Sequence, residues 1–401
     1  MLFNQIKQRL ETVYNILNLN EKEKQILSSH HKINHSELIV NDKNYPAWRI
    51  IHNNALGPGK GGIRYHPNVS EDEVKSLSFW MSIKNSAANL PYGGAKGGIK
   101  VNPQELTQEE IQELSRAYVR AFHNHMGENI DIPAPDVYTN PKIMGYMLDE
   151  YENIKQKKEP AFITGKPLEL GGIALRKDST SRGGFIMFQE LKLPITSKIA
   201  IQGFGNAGYF MARYMHENGY KVVAVSDSSG AIYSENGLDI NKVFEVKQQQ
   251  KHVQAHEGKK ISNKELLELD IDVLVLAALE NQITEDNVNN IKAKYIIELA
   301  NGPIKLDVDH VLHDKGILVL PDVLANSGGV VGSYFEWIQN KSGNAFEESY
   351  LKQRFDNVMK ENFQKIYNEY LKNNTQFDLR TVTYSVAIKR ILQAEKARGL
   401  F

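Results

Sequence analysis

Residues Ile199 to Gly208 read I-A-I-Q-G-F-G-N-A-G, a short apolar run closed by G-x-G-x-x-G, and a helical pattern follows over 210–217. A strand that turns straight into a helix through three glycines leaves few folds open. Gly203 permits the tight turn, Gly205 lets the backbone approach a pyrophosphate, and Gly208 allows close helix–strand packing. The motif alone also describes a tight turn with no ligand. Its flanks argue for a dinucleotide whose phosphates rest on the helix N-terminus, with Gly203, Gly205, Asn206 and Gly208 as binding residues. The next strand pattern ends V-S-D at 225–227. Asp227 stands at about the separation expected of an acid that binds the adenosine ribose. An acid there repels a 2′-phosphate, so the sequence predicts NAD, with NADP possible through Ser228 and Ser229.

The surrounding pattern agrees. From about Ser197, β-rich runs at 199–201, 222–225, 273–276, 295–297 and 318–320 alternate with helical stretches. Such alternation predicts a parallel, doubly wound sheet. The first 150 residues mix helices with short strands, and T-Q-E-E at 107–110 predicts a capping box. The tail outlines two long helices, about 346–370 and 384–397. The expected organisation is α/β. A substrate and oligomerisation domain takes 1–175, a Rossmann-type doubly wound nucleotide domain 176–326, and a C-terminal helical segment, 327–401, returns to the substrate domain. The stretch 247–260 reads as an exposed loop or helix end.

A second signal lies upstream. Leu90 to Gly98 reads L-P-Y-G-G-A-K-G-G and sets Lys96 among four glycines; Lys84 precedes it in S-I-K-N-S, Lys60 lies in G-P-G-K-G-G, and Asp136 follows in P-A-P-D-V. Lysines on glycine loops are usually solvated. Crowded by other cations and desolvated, however, a lysine loses its proton near neutral pH and acts as a base. Several lysines around one small anion suit a compound with two carboxylates. Neither glycine–lysine loop is a P-loop, because Gly61 and Gly97 stand where Ser or Thr must follow the lysine.

Composition narrows the classes further. In 401 residues, 48 basic side chains balance 48 acidic ones, which favours neither nucleic acid nor an anionic membrane. The absence of cysteine removes thiolate zinc and thiol catalysis. No apolar run approaches the roughly 20 residues of a membrane span, and polar residues interrupt the N-terminus too often for a signal peptide. The expectation is a soluble, cytoplasmic protein. His30, His31 and His35 complete no ligand set, so no metal is expected.

The ordered motifs G-P-G-K-G-G-I-R, S-I-K-N-S, L-P-Y-G-G-A-K-G-G, P-A-P-D-V-Y-T-N-P, T-G-K-P-L-E-L-G-G, G-F-G-N-A-G, V-S-D-S-S-G-A-I-Y, E-L-A-N-G-P and A-N-S-G-G-V-V-G-S-Y-F-E-W together resemble the glutamate dehydrogenase family, within the glutamate/leucine/phenylalanine/valine dehydrogenases. The resemblance implies interconversion of an amino acid with its 2-oxo acid and ammonium by a nicotinamide cofactor. It implies Lys96 and Asp136 as catalytic residues and Lys84 for the substrate α-carboxylate. Lys60 with Ser333 would hold the side-chain carboxylate of glutamate or 2-oxoglutarate, and Thr180 and Asn301 would lie near the nicotinamide. A cleft between two domains and a homo-hexamer are implied as well. The usual A-T-G before the nucleotide domain reads Ser179-Thr180-Ser181, a departure that bears on the nicotinamide pocket. Ser333-Tyr-Phe-Glu336 can also be read as a capping box, and Asp136 as a turn opener. An apolar-substrate sibling and an inactive scaffold of the same fold are the alternatives; Lys60 argues against the first, and intact Lys84, Lys96 and Asp136 against the second.

Overall fold

The computed structural model describes residues 2–373 and 375–399. The chain divides into two compact units: Met1–Arg176 with Val330–Gln353 and Tyr384–Phe401, and Lys177–Gly329 with Arg354–Thr383. The stretch from 327 onward is therefore shared, its middle part falling in the second unit. Its long helices run Glu348–Lys372 and Leu379–Ala397.

The first unit is built on strands β1 (Lys32–Val40), β2 (Lys43–Asn53), β3 (Gly59–His66), β4 (Gly94–Lys100) and β5 (Asp131–Pro135), in the order β1-β2-β4-β3-β5. Here β3 runs parallel to both β4 and β5, whereas β2 is antiparallel to β1 and β4. The helix Gln108–Phe122 starts at Thr107, whose hydroxyl accepts from the Glu110 N–H while Glu110 reaches back to the Thr107 N–H. Its apolar stripe buries Leu114, Tyr118 and Phe122 against Tyr65, Ile99 and Met147. Burial of this kind contributes roughly 25 cal/mol per Å² of apolar surface.

The second unit carries β6 (Lys198–Gln202), β7 (Lys221–Asp227), β8 (Gly230–Tyr233), β9 (Lys259–Ile261), β10 (Val273–Leu276), β11 (Tyr295–Glu298) and β12 (Leu318–Leu320). Their order is β12-β11-β10-β6-β7-β8-β9, and β12 through β7 are parallel. This is the doubly wound Rossmann arrangement, with β6 at the point where the strand order reverses. Strands β8 and β9 add an antiparallel edge that the hydrophobic pattern missed. They are four and three residues long, and β9 opens on two exposed lysines. The stretch 247–260 holds the end of the helix Ile240–Gln250 and the start of β9.

The carboxyl end of β11 is pinned by one guanidinium. Arg380 donates to Glu298 at 2.6 and 2.8 Å and also pairs with Asp309 and Asp322. Burial, opposed by Arg380, pushes the Glu298 carboxyl up from 4.5 to about 7. Between those values the unfolded carboxyl has released a proton that the folded one keeps. Stability from this group is complete below about pH 4.5 and declines as pH rises through about 7. Glu298→Gln, which cannot titrate, should flatten that decline in urea midpoints measured from pH 4.5 to 8. An unaltered slope would assign the decline to another group.

Candidate active site

The lysines converge because of strand geometry. In the β3–β4 register Ile63 faces Gly97. Lys60 and Lys96 each lie an odd number of residues from that pair, so both project from the opposite face. Asp136 follows β5 directly. Its N–H donates to Thr139 Oγ1 at 2.7 Å and the Thr139 N–H returns to its carbonyl at 3.0 Å. That turn sends the carboxylate back to the sheet, where Oδ1 accepts from the Val137 N–H at 2.7 Å and Oδ2 meets Lys96 Nζ. The room comes from Gly62, where a Cβ would stand 2.8 Å from that of Asp136.

Two further cations surround the pair. Arg64, from β3, reaches Glu73 at 2.6 Å and Asp136 at 3.5 Å. Lys84 lies in the last turn of the helix Glu71–Ala87. Burial, followed by the charges of Arg64, Lys84 and Arg49, holds the Lys96 ammonium well below its usual range. Behind it, Arg49 donates to Asp131 at 2.7 Å and to the Gly61 carbonyl at 3.0 Å, with both side chains fully buried.

A second cluster forms around Lys60, which is 1% exposed and, among the described residues, makes only a long contact, 3.4 Å, to the Pro133 carbonyl. Burial, then Arg176 and Arg49, depress its ammonium well below the usual range. Ser333 does not cap a helix. It lies inside the helix Gly328–Ser342, and its Oγ accepts from Arg176 at 2.6 Å. Glu336, one turn on, is fully buried and accepts from the Gly165 N–H at 2.9 Å and from Lys166 at 2.8 Å. The capping-box reading fails because helix formation begins five residues earlier, and Glu336 is drawn to these buried donors instead. Lys166 and Arg64 sit within the motifs read from the sequence without an assigned part, and Glu336 figures there only as a capping partner. Arg176 lies outside every motif, and no sequence signal marked it.

In the second unit Gly203 adopts φ +90°, and a Cβ on Gly208 would stand 1.7 Å from the Gly203 carbonyl oxygen. Any larger residue would push helix from strand. Gly205 precedes the helix Asn206–Glu217; no side chain caps that end, and nothing lies within 4 Å of a Cβ built there. Uncapped N–H groups beside an open approach fit a dinucleotide pyrophosphate. Asn206 is exposed and donates to the Lys177 carbonyl at 3.1 Å. Thr180 lies in the first turn of the helix Ser179–Glu190. Ser181, in place of the usual glycine, donates to the Ala207 carbonyl at 2.7 Å and so ties two helix starts together. Asn301 is exposed, and its Oδ1 accepts from Asn326 at 2.9 Å.

Asp227 is more heavily engaged than its motif suggests. Oδ1 accepts from Ser229 N–H and Oγ, at 3.0 and 2.6 Å; Oδ2 accepts from the Val253 N–H at 2.9 Å and lies 3.2 Å from Lys247 Nζ. Lys247 also donates to the Phe204 carbonyl at 2.9 Å. A partnered, charge-compensated acid repels a 2′-phosphate less than a bare one. Lys247 arrives from a helix remote in sequence, so the motif could not reveal it.

His30 is spent on the Lys75 carbonyl at 3.1 Å. Among the described residues no group of three or more His, Asp or Glu could hold a metal ion, and no helix is long and apolar enough to cross a membrane.

Comparison with known proteins adds the following. A family model described as glutamate/leucine/phenylalanine/valine dehydrogenase matches residues 171–399, and one for the dimerisation domain of the same dehydrogenases matches 30–153. The chain is 47% identical over 364 residues to an NADP-specific glutamate dehydrogenase of Saccharolobus shibatae, covering 89% of this chain and 86% of the relative. It is 45% identical over 365 residues to a cryptic catabolic NAD-specific glutamate dehydrogenase of Bacillus subtilis, covering 89% and 85%. The crystal structure of glutamate dehydrogenase from Peptoniphilus asaccharolyticus superposes with a TM-score of 0.89 at 35% identity over all of both chains. A hetero-hexameric glutamate dehydrogenase from Thermus thermophilus, in its leucine-bound form, gives 0.91 at 27% identity, covering 100% of this chain and 97% of that one.

Proposed function

We propose that this chain, which belongs to the glutamate/leucine/phenylalanine/valine dehydrogenase family, oxidises L-glutamate to 2-oxoglutarate and ammonium with NAD or NADP, and catalyses the reverse reaction. One observation carries the choice of substrate. Around Lys60, the basic side chains Lys60, Lys166, Arg176 and Arg49 outnumber the buried carboxylates Glu336 and Asp131, so an arriving carboxylate stabilises the ammonium form of Lys60 that burial and its cationic neighbours disfavour. Surplus buried positive charge is costly unless an anion joins it. The side-chain carboxylate of glutamate supplies that anion, whereas leucine or phenylalanine leaves the charge unpaired. The NAD-specific and NADP-specific relatives, and the compensated charge on Asp227, support use of either coenzyme.

The bound nicotinamide supplies the hydride acceptor. Lys84 holds the substrate α-carboxylate, and Lys60, with Ser333 and Arg176 beside it, holds the side-chain carboxylate. Loss of hydride from Cα leaves an iminium on the substrate. Lys96, neutral because burial and its cationic neighbours disfavour the ammonium, takes a proton from water as the water oxygen bonds to that carbon. Asp136, in contact with Lys96, relays that proton to the nitrogen; the C–N bond breaks as ammonia leaves, and the hydroxyl gives its proton to Lys96 as the carbonyl forms. In the second unit Gly203, Gly205, Asn206 and Gly208 hold the pyrophosphate, Asp227 stands at the adenosine ribose, and Thr180 and Asn301 serve the nicotinamide end. We read the assembly as a homo-hexamer; the dimerisation-domain match and the hetero-hexameric relative support oligomerisation.

The direct test is NAD(P)H oxidation with ammonium and a panel of 2-oxo acids, in which 2-oxoglutarate should be preferred. Lys60→Leu should lower kcat/KM for 2-oxoglutarate by at least about tenfold, the equivalent of about 1.4 kcal/mol. It should also raise the relative use of 4-methyl-2-oxopentanoate. A wild type that prefers the branched acid would reverse the substrate assignment. Lys96→Ala should reduce kcat by roughly 10²- to 10⁴-fold while NADH affinity, followed by fluorescence, stays near wild type. Retention of more than about a tenth of kcat would remove Lys96 as the base.

A further inference from the structure

Tyr92, in the L-P-Y-G-G-A-K-G-G segment, is completely buried, yet its hydroxyl has no hydrogen-bond partner among the described residues. Buried hydroxyls nearly always find partners, because an unmade hydrogen bond in the interior leaves the desolvation of the group uncompensated. An exception needs a cause. The ring is fixed by Tyr334, at 5.8 Å between centroids and 89° between planes, and by Trp337 at 5.4 Å and 63°. Those aromatics flank Ser333 and Glu336 on the same helix. The charged groups that act on the phenol are Glu336 and Arg176, and both also act on Lys60. The phenol therefore packs on the helix that carries Ser333 and Glu336, within electrostatic reach of Glu336 and Arg176.

Among the described residues nothing takes its proton. Glu336, the nearby carboxylate, already accepts from Gly165 and Lys166 and forms an ion pair with Arg176 at 3.5 Å. Ser333 Oγ accepts from Arg176. Burial holds the phenol well above its usual range, so it remains protonated and available as a donor.

We propose that the Tyr92 hydroxyl donates a hydrogen bond to the side-chain carboxylate of the bound substrate and thereby favours a dicarboxylate over a monocarboxylate of the same length. The proposal rests on the reading of the Lys60 cluster as the side-chain carboxylate site. It treats the orphaned donor as a group held ready for a ligand rather than a packing fault. A donor whose acceptor arrives with the substrate has an energetic signature: its removal weakens binding and leaves the unliganded fold unharmed.

Tyr92→Phe deletes only that oxygen. A neutral donor to a charged acceptor is worth roughly 1.5–3 kcal/mol, so KM for 2-oxoglutarate should rise about 10-fold or more with kcat little changed. The kcat/KM for 2-oxopentanoate, which lacks the second carboxylate, should stay within about twofold. Glutarate, titrated calorimetrically, should lose affinity in parallel. The unliganded variant should melt at or above the wild-type temperature, because no bond within the protein is lost. An unchanged ratio of 2-oxoglutarate to 2-oxopentanoate, with an active wild type, overturns the role of Tyr92 alone. A lower melting temperature also overturns it, by revealing a structural bond. A wild type unable to use 2-oxoglutarate overturns this proposal together with the reading beneath it.

Discussion

Burial of lysine ammonium groups is the constraint around which the first unit is arranged. Lys60 and Lys96 are 1% and 7% exposed, and desolvation is the largest influence on each. An isolated buried ammonium is expensive, and it responds by losing its proton or acquiring a partner. The two lysines meet that demand differently. Lys96 is set against Asp136, with Arg64 and Lys84 adding to the pressure on its proton. Among the described residues Lys60 has no carboxylate in hydrogen-bond contact, and Glu336 is held by Lys166 and the Gly165 amide instead. In the proposed reaction one lysine exchanges a proton and the other receives an anion.

That arrangement needs a rigid frame. The Arg49–Asp131 pair joins β2 to β5 beneath the lysines, and Arg49 also holds the Gly61 carbonyl of β3. Removing one partner of such a fully buried pair typically costs about 3–5 kcal/mol, since the other charge remains. The pair therefore fixes strand positions as well as charge. Glycines set the spacing on the same sheet. Gly62 lets Asp136 come within reach, and Gly208 does the equivalent for helix and strand in the second unit. The second unit uses charge in a parallel manner, with Arg380 binding Glu298, Asp309 and Asp322 and so anchoring the segment beyond β11.

The alternation of apolar runs with helical patterns showed the parallel strands β6, β7, β10, β11 and β12, because each is a short aliphatic run, largely buried in all but the edge strand β12. Strands β8 and β9 escaped notice, since an edge strand of three or four residues has no room to display a period. The glycine–lysine motifs marked Lys60, Lys84 and Lys96 as unusual. Ser333 illustrates the opposite case. Its spacing to Glu336 imitates a capping box, and only the helix start at Gly328 separates the two readings.

The sequence by itself determined the local devices: the fingerprint loop, the capping box at Thr107, the glycines that admit close packing, and the family to which the chain belongs. Each is written in neighbouring residues, so each can be read without coordinates. Tertiary structure alone decided the electrostatics. Arg176 reaches Ser333 across 157 residues of chain, Lys166 reaches Glu336 across 170, and Lys247 reaches Asp227 across 20. Whether Tyr92 is satisfied or orphaned also depends on every group around it in the fold. Burial and charge act through space, so a proton's affinity for Lys96, or a phenol's want of an acceptor, is a property of the packed neighbourhood rather than of any motif.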